Sequence, residues 1–425
     1  MHGVNHPTFG LWHHPNFLRL WVGESISLLG SAVTHFALPL TAALLLEATP
    51  MQMGWLGTAE FSPFLLLGLL AGVWVDRGSR RWIMVGCNVG RAVLLMGIPW
   101  LAWRDHLTMP ILYAIAFGVG SLTVFFDVAY QALLPALVER DQILEGNTKL
   151  HMSWSLAEIL GPSVAGWLAT LFSAPYVIAL DALSFLISAV LLLTIQVRET
   201  GNSQSLSQSI TQAIQEGLTV VLSNPFLRSL AGCTGSMNLF DKIILSVFVL
   251  FATRDLQMNS AWLGLVMAMA ALGSLLGSFL TARITRRVGL GKTITISAFV
   301  SGLGYLVLPL AHGWYGIPVL MLGWGISGFA GTVYDMNQLS LRQTLIPDRL
   351  QGRMNATVRF LIWGTMPIGF ALGGWLGETI GLRSTLWVGG IGMVTTFLWP
   401  YFSPVLALQR QPDPIREAEG QLPSL

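Results

Sequence analysis

Residues 72–81 read Gly-Val-Trp-Val-Asp-Arg-Gly-Ser-Arg-Arg, a knot of one acid and three arginines between two strongly apolar stretches. At 278–287, 206 residues further on, the chain reads Ser-Phe-Leu-Thr-Ala-Arg-Ile-Thr-Arg-Arg. The echo continues at nearly the same offset. Leu137, Asn147 and Gly166-Trp167-Leu168 recur 208 residues on as Leu345, Asn355 and Gly374-Trp375-Leu376, and Asp127 maps onto Asp335. Two similar, mostly apolar halves predict a membrane bundle built twice, an architecture in which a solute site lies between the repeats.

Composition points the same way. Of the residues 53% are apolar and only 10% charged, where a soluble domain usually carries about 25% charge. The basic residues fall in short clusters between apolar spans, so nothing resembles a surface that grips phosphates, and no nucleic-acid partner is expected. Cys87 and Cys233 lie inside apolar spans, which argues against a disulfide framework or a four-ligand zinc site. His2, His6, His13 and His14 read as a disordered tail in preference to a metal site. No enzyme site, metal or cofactor is predicted. A Gly-x-x-x-x-Gly-Lys-Ser/Thr phosphate loop is missing, so uphill movement of a solute would have to draw on an ion gradient.

Apolar spans of about 20 residues or more fall at 16–46, 53–75, 82–103, 109–137, 151–172 and 175–197, then at 226–252, 260–282, 291–311, 315–346, 355–377 and 384–408. The expectation is an all-α integral membrane protein with twelve transmembrane helices in two pseudo-symmetric six-helix bundles, 1–197 and 226–408, joined by a linker at 198–225 and followed by a tail at 409–425. The first span lacks a short basic region before it and a small-residue cleavage site after it, so it reads as a retained helix. Arg77, Arg80, Arg81, Arg140, Lys149, Arg198, Arg283, Arg286, Arg287, Lys292, Arg349, Arg353, Arg410 and Arg416 fall on one side of these spans, and only Arg104, Arg254 and Arg383 on the other. By the positive-inside rule both termini are cytoplasmic. In the linker Ile210, Ile214, Leu218 and Val221 keep helical spacing, which predicts a short surface helix.

Three runs then carry a family resemblance: Gly72-x-x-x-Asp76-Arg77-x-x-Arg80-Arg81, Phe126-Asp127-Val128-Ala129-Tyr130-Gln131-Ala132-Leu133-Leu134-Pro135, and Gly161-Pro162-x-x-Ala165-Gly166. In this order, and over essentially the whole chain, the sequence resembles the major facilitator superfamily, and within it the branch of proton-driven drug, macrolide and siderophore exporters. The resemblance implies the major facilitator fold, a multi-pass protein of the plasma (inner) membrane, a small amphipathic substrate, protons as coupling ions, and a monomer. It departs from the family pattern at Gly78-Ser79, where a glycine is usual just before the basic pair, and Ala282 replaces the acid in the distal copy.

An acid and three guanidinium groups on a tight surface loop can pair with helix ends and acids of the opposing half, holding a mouth shut in one state and releasing it in another. Gly72, Asp76, Arg77, Arg80 and Arg81 are the expected gate. The plainer reading is that these arginines only fix topology; substituting Asp76 separates the two. Gly161, Pro162, Ala165 and Gly166 resemble the superfamily's antiporter motif with alanines at two glycine positions. Proline removes a helix hydrogen bond and small residues admit a close neighbour, so the segment can bend and rock; ordinary close packing is the alternative.

Ionisable groups within a bilayer are costly unless they face a cavity or a partner. Glu24, His35, Glu60, Arg91, Asp127, Glu158, Asp181, Asp241, Lys242 and Asp335 all fall inside spans. Several share a helix face with other polar residues, as Glu24, Ser27, Ser31 and His35 do, and Thr123, Asp127, Tyr130 and Gln131. The resemblance places the first, fourth, seventh and tenth helices around the cavity. Glu24 and Asp127, with Glu158 and Asp241 behind them, are the expected proton sites, and Ser31, His35, Tyr130, Gln131, Asn238, Phe240, Tyr334, Asp335, Gln338 and Trp363 the expected cavity lining. Asp127 has a second reading as a partner of Arg80 or Arg81, and Asp335 as a partner of Arg342. Asp181 is expected to pair locally. Asp241 and Lys242, as sequence neighbours, point to different faces and are not expected to neutralise each other. Arg91 has no evident partner in the sequence.

Most tryptophans bracket the spans as an interfacial belt, while Trp154, Trp324 and Trp363 sit deeper and, with Met237, Met267, Met269 and Met366, suit a soft apolar pocket. The expected function is a secondary transporter that exports a bulky amphipathic compound in exchange for protons by alternating access. The alternatives are a flippase or importer of the same fold, or a membrane sensor that does not turn over.

Overall fold

The computed structural model describes residues 11–139, 142–196, 219, 221–345 and 348–410; within helices, the side chains of 69, 73, 76, 77, 144 and 348–361 lie outside that description. Most of the 198–225 linker and of the 409–425 tail is therefore also outside it, including Ile210, Ile214 and Leu218.

Among the described residues twelve helices of fourteen residues or more follow one another, and there is no strand. They are α1 (Pro15–Leu44), α2 (Pro50–Arg77), α3 (Arg80–Trp103), α4 (Met109–Leu137), α5 (Ile143–Phe172), α6 (Ala174–Thr194), α7 (Pro225–Leu250), α8 (Ser260–Val288), α9 (Leu290–Val307), α10 (Gly316–Leu345), α11 (Asp348–Ile380) and α12 (Leu382–Thr395), with a short α13 (Leu398–Tyr401) continuing the last. A π-helical turn, Phe251–Asp255, extends α7. Nine of the helices are long and apolar enough to cross a bilayer among the described residues. In α12 the helix breaks after Thr395, which leaves only 14 residues in its main segment.

Local chemistry explains the ends. Pro15 occupies the first turn of α1, where its missing N–H costs nothing, and His14 Nδ1 accepts from Phe17 N at 3.2 Å. His14 is thus a helix cap and not part of a disordered tail. At α2, Thr49 and Gln52 form a reciprocal capping box ahead of Pro50. Helix α5 starts at Ile143, well before the expected 151, because its first turns carry Glu145 and Lys149, an i,i+4 pair at 3.0 Å that hydropathy does not register.

The chain forms two compact units, Met1–Leu206 with Ser246–Ala268, and Ser207–Leu245 with Met269–Leu425. In the first, α1 packs on α5 and α6, α3 on α4 and α6, and α2 on α4. In the second, α9 packs on α10 and α12, so the α3·α4 and α3·α6 contacts recur six helices on. The segment Ser246–Ala268 joins the first unit through contacts onto that unit's carbonyls. Arg254 donates to the Ala48 carbonyl at 2.9 Å, and Gly264 lies so close to the Pro162 carbonyl that any side chain there would collide with it. Each unit has its own core, around Phe17, Met84 and Phe126 in the first and around Ile294, Tyr334 and Leu341 in the second. Large apolar side chains such as Trp55, Trp82, Leu193, Phe279 and Trp314 stay exposed on helix surfaces, as lipid-facing residues do.

Candidate functional site

In the first unit the polar residues gather around α3. Arg91 is only 4% exposed, and its guanidinium lies between the rings of Phe126, 4.3 Å from the centroid, and Phe185, at 4.0 Å. One end donates to Thr123 Oγ1 at 3.4 Å and the other to Asn88 Oδ1. Asn88 is held in turn by its Nδ2 donating to Ser188 Oγ at 2.9 Å. Two aromatic faces and two hydrogen bonds hold this buried cation. Glu24 on α1 and Asp127 on α4 act on it electrostatically. Glu24 is half-buried, and among the described residues it makes no hydrogen bond or ion pair.

Further along α1, about 16 Å of helix rise from Glu24, the exposed His35 pairs through Nδ1 with Glu60 Oε1 at 2.8 Å. Asp181 on α6 is 1% exposed and accepts from Ser184 Oγ at 3.0 Å, the local pairing expected of it. It lies directly against Gly30 of α1, where a side chain of any size would strike its carboxylate. Glu158 is exposed and lies within electrostatic reach of His35. Ser31 is half-buried and Gln131 exposed, while the Tyr130 ring stacks on Phe126 at 6.1 Å and belongs partly to the core.

The basic pair after Gly78 holds helix ends of its own unit. Arg80 donates to the Ala132 carbonyl at 2.9 Å, Arg81 through Nε to the Leu192 carbonyl at 3.0 Å, and Arg81 Nη2 to that of Leu193. These carbonyls lie in the last turns of α4 and α6, the negative ends of the helix dipoles. These three bonds lie within the loop's own unit. Gly72 has open space where a Cβ would point, and the side chains of Asp76 and Arg77 lie outside the described residues. In the third motif, Gly161 meets Ala32 of α1, Ala165 is fully buried, and Gly166 meets the Ser260 carbonyl and Gly264 across from the Pro162 carbonyl.

The second unit contains a cavity of about 280 Å³ that brings together four predicted residues, Met237, Asn238 and Asp241 of α7 and Asp335 of α10. Asp241 Oδ1 accepts from Tyr305 OH at 2.8 Å, and Oδ2 pairs with Lys242 Nζ, also at 2.8 Å. The pair corrects the expectation that these neighbours stay apart. Although adjacent residues leave a helix in different directions, the four-carbon lysine stem is long enough to fold back, and Gly369 of α11 leaves room beside the Lys242 Cβ. Tyr305, a lone tyrosine in an apolar run, escaped the sequence reading; its signal is a hydroxyl that needs a partner once buried.

Other predicted lining residues face elsewhere. Phe240 packs against Gly392 of α12, where a Cβ would collide with its ring. Tyr334 is fully buried, its OH 2.8 Å from Thr234 Oγ1. Gln338 is 8% exposed and borders a small void beside Arg342. Arg342 acts electrostatically on Asp335 from two turns away. Trp363 is half-buried, and Trp324 sits edge-on to Tyr305 at 5.6 Å. A larger open depression of about 490 Å³ near the start of α7, beside Arg228 and Trp399, contains none of the intramembrane acids.

Residues 7–421 match the family described as transmembrane secretion effector. The chain belongs to that family. It is a multi-pass membrane transporter of the major facilitator superfamily. The transporter is 24% identical over 381 residues to macrolide efflux protein A of Streptococcus pyogenes, covering 88% of this chain and 92% of the relative. It is 25% identical over 408 residues to the multidrug efflux pump Tap of Mycobacterium bovis, covering 92% and 94%. Its fold matches the nucleoside transporter NupG with a TM-score of 0.71 at 13% identity, over 91% of this chain and 99% of that one. A bacterial homologue of the iron transporter ferroportin in an inward-facing state matches with a TM-score of 0.69 at 16% identity, over 91% and 98%.

Proposed function

We propose that this transporter exports a bulky amphipathic compound from the cell in exchange for protons, by alternating access, as a monomer of the plasma (inner) membrane with both termini cytoplasmic. The observation that carries the proton reading is Glu24. A carboxylate within a membrane helix usually finds a partner; this one makes no hydrogen bond or ion pair among the described residues and stands in the field of Arg91. Protonated, Glu24 leaves the Arg91 charge to Asp127 and the more weakly acting Asp181; ionised, it shares that charge. Such a site can bind a proton on one side of the membrane and release it on the other as access alternates. The names of the efflux relatives support the outward direction and the amphipathic cargo.

Around this centre, Asp76 and Arg77 with Arg80 and Arg81 serve as the gate at the cytoplasmic mouth, and the Gly161-Pro162-x-x-Ala165-Gly166 segment as the flexing element of α5. The bundles 1–197 and 226–408, joined by the 198–225 linker, move as the two bodies. The test is purified protein in liposomes with an imposed proton gradient, scanned against macrolides, dyes and siderophores. Flux of a compound that discharges the gradient, and that Glu24→Gln removes, is the expected result. Flux that leaves the gradient untouched would overturn the antiport reading.

A further inference from the structure

We infer that the cavity of the second unit is a subsite for the protonated amine of a hydroxyl-rich head group, of about the size of one amino-sugar ring. This deepens the exporter reading, on which it rests, by naming the chemistry of one end of the cargo.

Hydrogen-bond accounting carries the inference. Each hydroxyl has one donor and two acceptor lone pairs. In the cavity wall Ser274 donates to the Ala270 carbonyl at 2.9 Å, Ser301 to the Ser327 carbonyl at 3.4 Å, and Ser327 to the Trp324 carbonyl at 3.0 Å. Tyr305 donates to Asp241, and Lys242 is turned onto the same carboxylate. The donors of the wall are thus largely consumed within the protein, and what these hydroxyls still offer is acceptor capacity. Among the described lining side chains, Asn238 and Thr332 keep a donor to offer, while the Thr234 hydroxyl is engaged with Tyr334 OH at 2.8 Å.

The charge is equally lopsided. Lys242 neutralises Asp241, which leaves Asp335, on which Arg342 acts only from two turns away. Asp335 is exposed, and among the described residues it makes no hydrogen bond or ion pair. A space rich in acceptors, with one carboxylate that no cation touches among the described residues, selects a cationic, donor-rich occupant. A metal ion fits poorly, since no group of three or more His, Cys, Asp or Glu suited to one exists among the described residues. Size sets the remaining limit. Whole drug-sized ligands occupy roughly 300–1,000 Å³, so about 280 Å³ takes a head group while the apolar remainder lies outside.

The experiment measures equilibrium binding of radiolabelled octyl glucosaminide, octyl N-acetylglucosaminide and octyl glucoside to the full-length protein in nanodiscs at neutral pH, with empty nanodiscs as the blank. The three share a tail and a ring and differ in the amine. The glucosaminide is expected to bind about tenfold more tightly than either neutral probe. Asp335→Asn is expected to bring it to within about twofold of them without weakening the neutral probes, and Asp335→Glu to keep most of the preference. Equal binding of all three probes to the unsubstituted protein, which requires no variant to fold, overturns the inference. A preference that survives in folded Asp335→Asn also overturns it. An amine preference without coupled flux of any compound would sink the exporter reading and leave the subsite standing; coupled flux without the preference would do the reverse.

Discussion

Asp127 and Asp335 occupy the same place in the two repeats, yet their surroundings have diverged. Asp127 shares its unit with a cation built into the protein, Arg91, clamped between Phe126 and Phe185. At the repeat offset of 206–208 residues, the place of Arg91 is taken by Ser297, Ala298 and Phe299, and none of them carries charge. In the second unit Lys242 is spent on Asp241, Arg342 acts on Asp335 only from two turns away, and Asp335 opens on a cavity. On the proposed reading, one half of the duplication supplies its own positive charge and leaves a carboxylate, Glu24, to take up a proton. The other half leaves its positive charge to be brought in. A duplicated scaffold can divide proton handling from cargo recognition by changing a few polar side chains while keeping the helix contacts.

The sharpest break of this comparison is Glu24→Gln against Asp335→Asn. The first is expected to abolish gradient discharge while leaving probe binding within about twofold of normal. The second is expected to remove the amine preference and to leave a proton-coupled neutral cargo moving. Transport in liposomes and binding in nanodiscs, measured on both variants, decide it. Identical losses in the two assays would mean that the units do not divide the work.

Next in size is the clamp itself. Arg91→Met removes a cation from two aromatic faces and strips Asn88 and Thr123 of their partner. Desolvated cation–π contacts are worth about 2 kcal/mol or more each, so a loss of about 2–4 kcal/mol in stability is expected, read as a lowered melting temperature. Arg91→Lys is expected to recover less than half, because an ammonium lacks the planar fork that stacks and reaches both oxygens. Asp335→Asn, at an exposed position, is expected to change stability by less than about 0.5 kcal/mol. Similar destabilisation at both positions would deny that the charge is built in on one side only.

Much of this was legible in the chain and some was not, for identifiable reasons. Helix α4 spans Met109–Leu137, as its apolar run predicts, because a bilayer leaves a polar backbone few choices besides the helix. The start of α5 lies well before its apolar run, since a helix continues into water where side-chain pairs such as Glu145–Lys149 support it. Which acids lie in spans could be read directly. Which partner each finds could not, because that depends on rotamers and on the neighbouring helix. Lys242 folds back onto its own neighbour, Phe240 turns to Gly392, and Arg91 finds two rings far apart in sequence. Periodicity gives the face of a helix but not what stands opposite it.

Lys242→Met sharpens the comparison from the other side. It removes the 2.8 Å ion pair and leaves Asp241 with the Tyr305 hydroxyl alone, so the cavity gains a second uncompensated carboxylate. The octyl glucosaminide preference is expected to rise a few-fold, with a stability cost of about 1–3 kcal/mol for the stranded charge. An unchanged preference would mean that Asp241 does not face the occupant.

The smallest expected effect belongs to the arginine loop. Arg80→Ala removes one charge-assisted bond onto the last turns of α4, worth about 0.3–1 kcal/mol at a helix end. Because this bond stays within its own unit, stability should fall by that amount while coupled flux drops less than about threefold. Asp76→Asn is the informative partner, since topology depends on the basic residues and not on the acid. If the loop is a gate, Asp76→Asn should lower flux several-fold with unchanged melting temperature and unchanged orientation in the membrane. If the loop only sets topology, Asp76→Asn should transport like the parent protein. Flux measured beside the accessibility of a cysteine placed in the 198–225 linker separates the two, because a gate defect alters the first and leaves the second as it was.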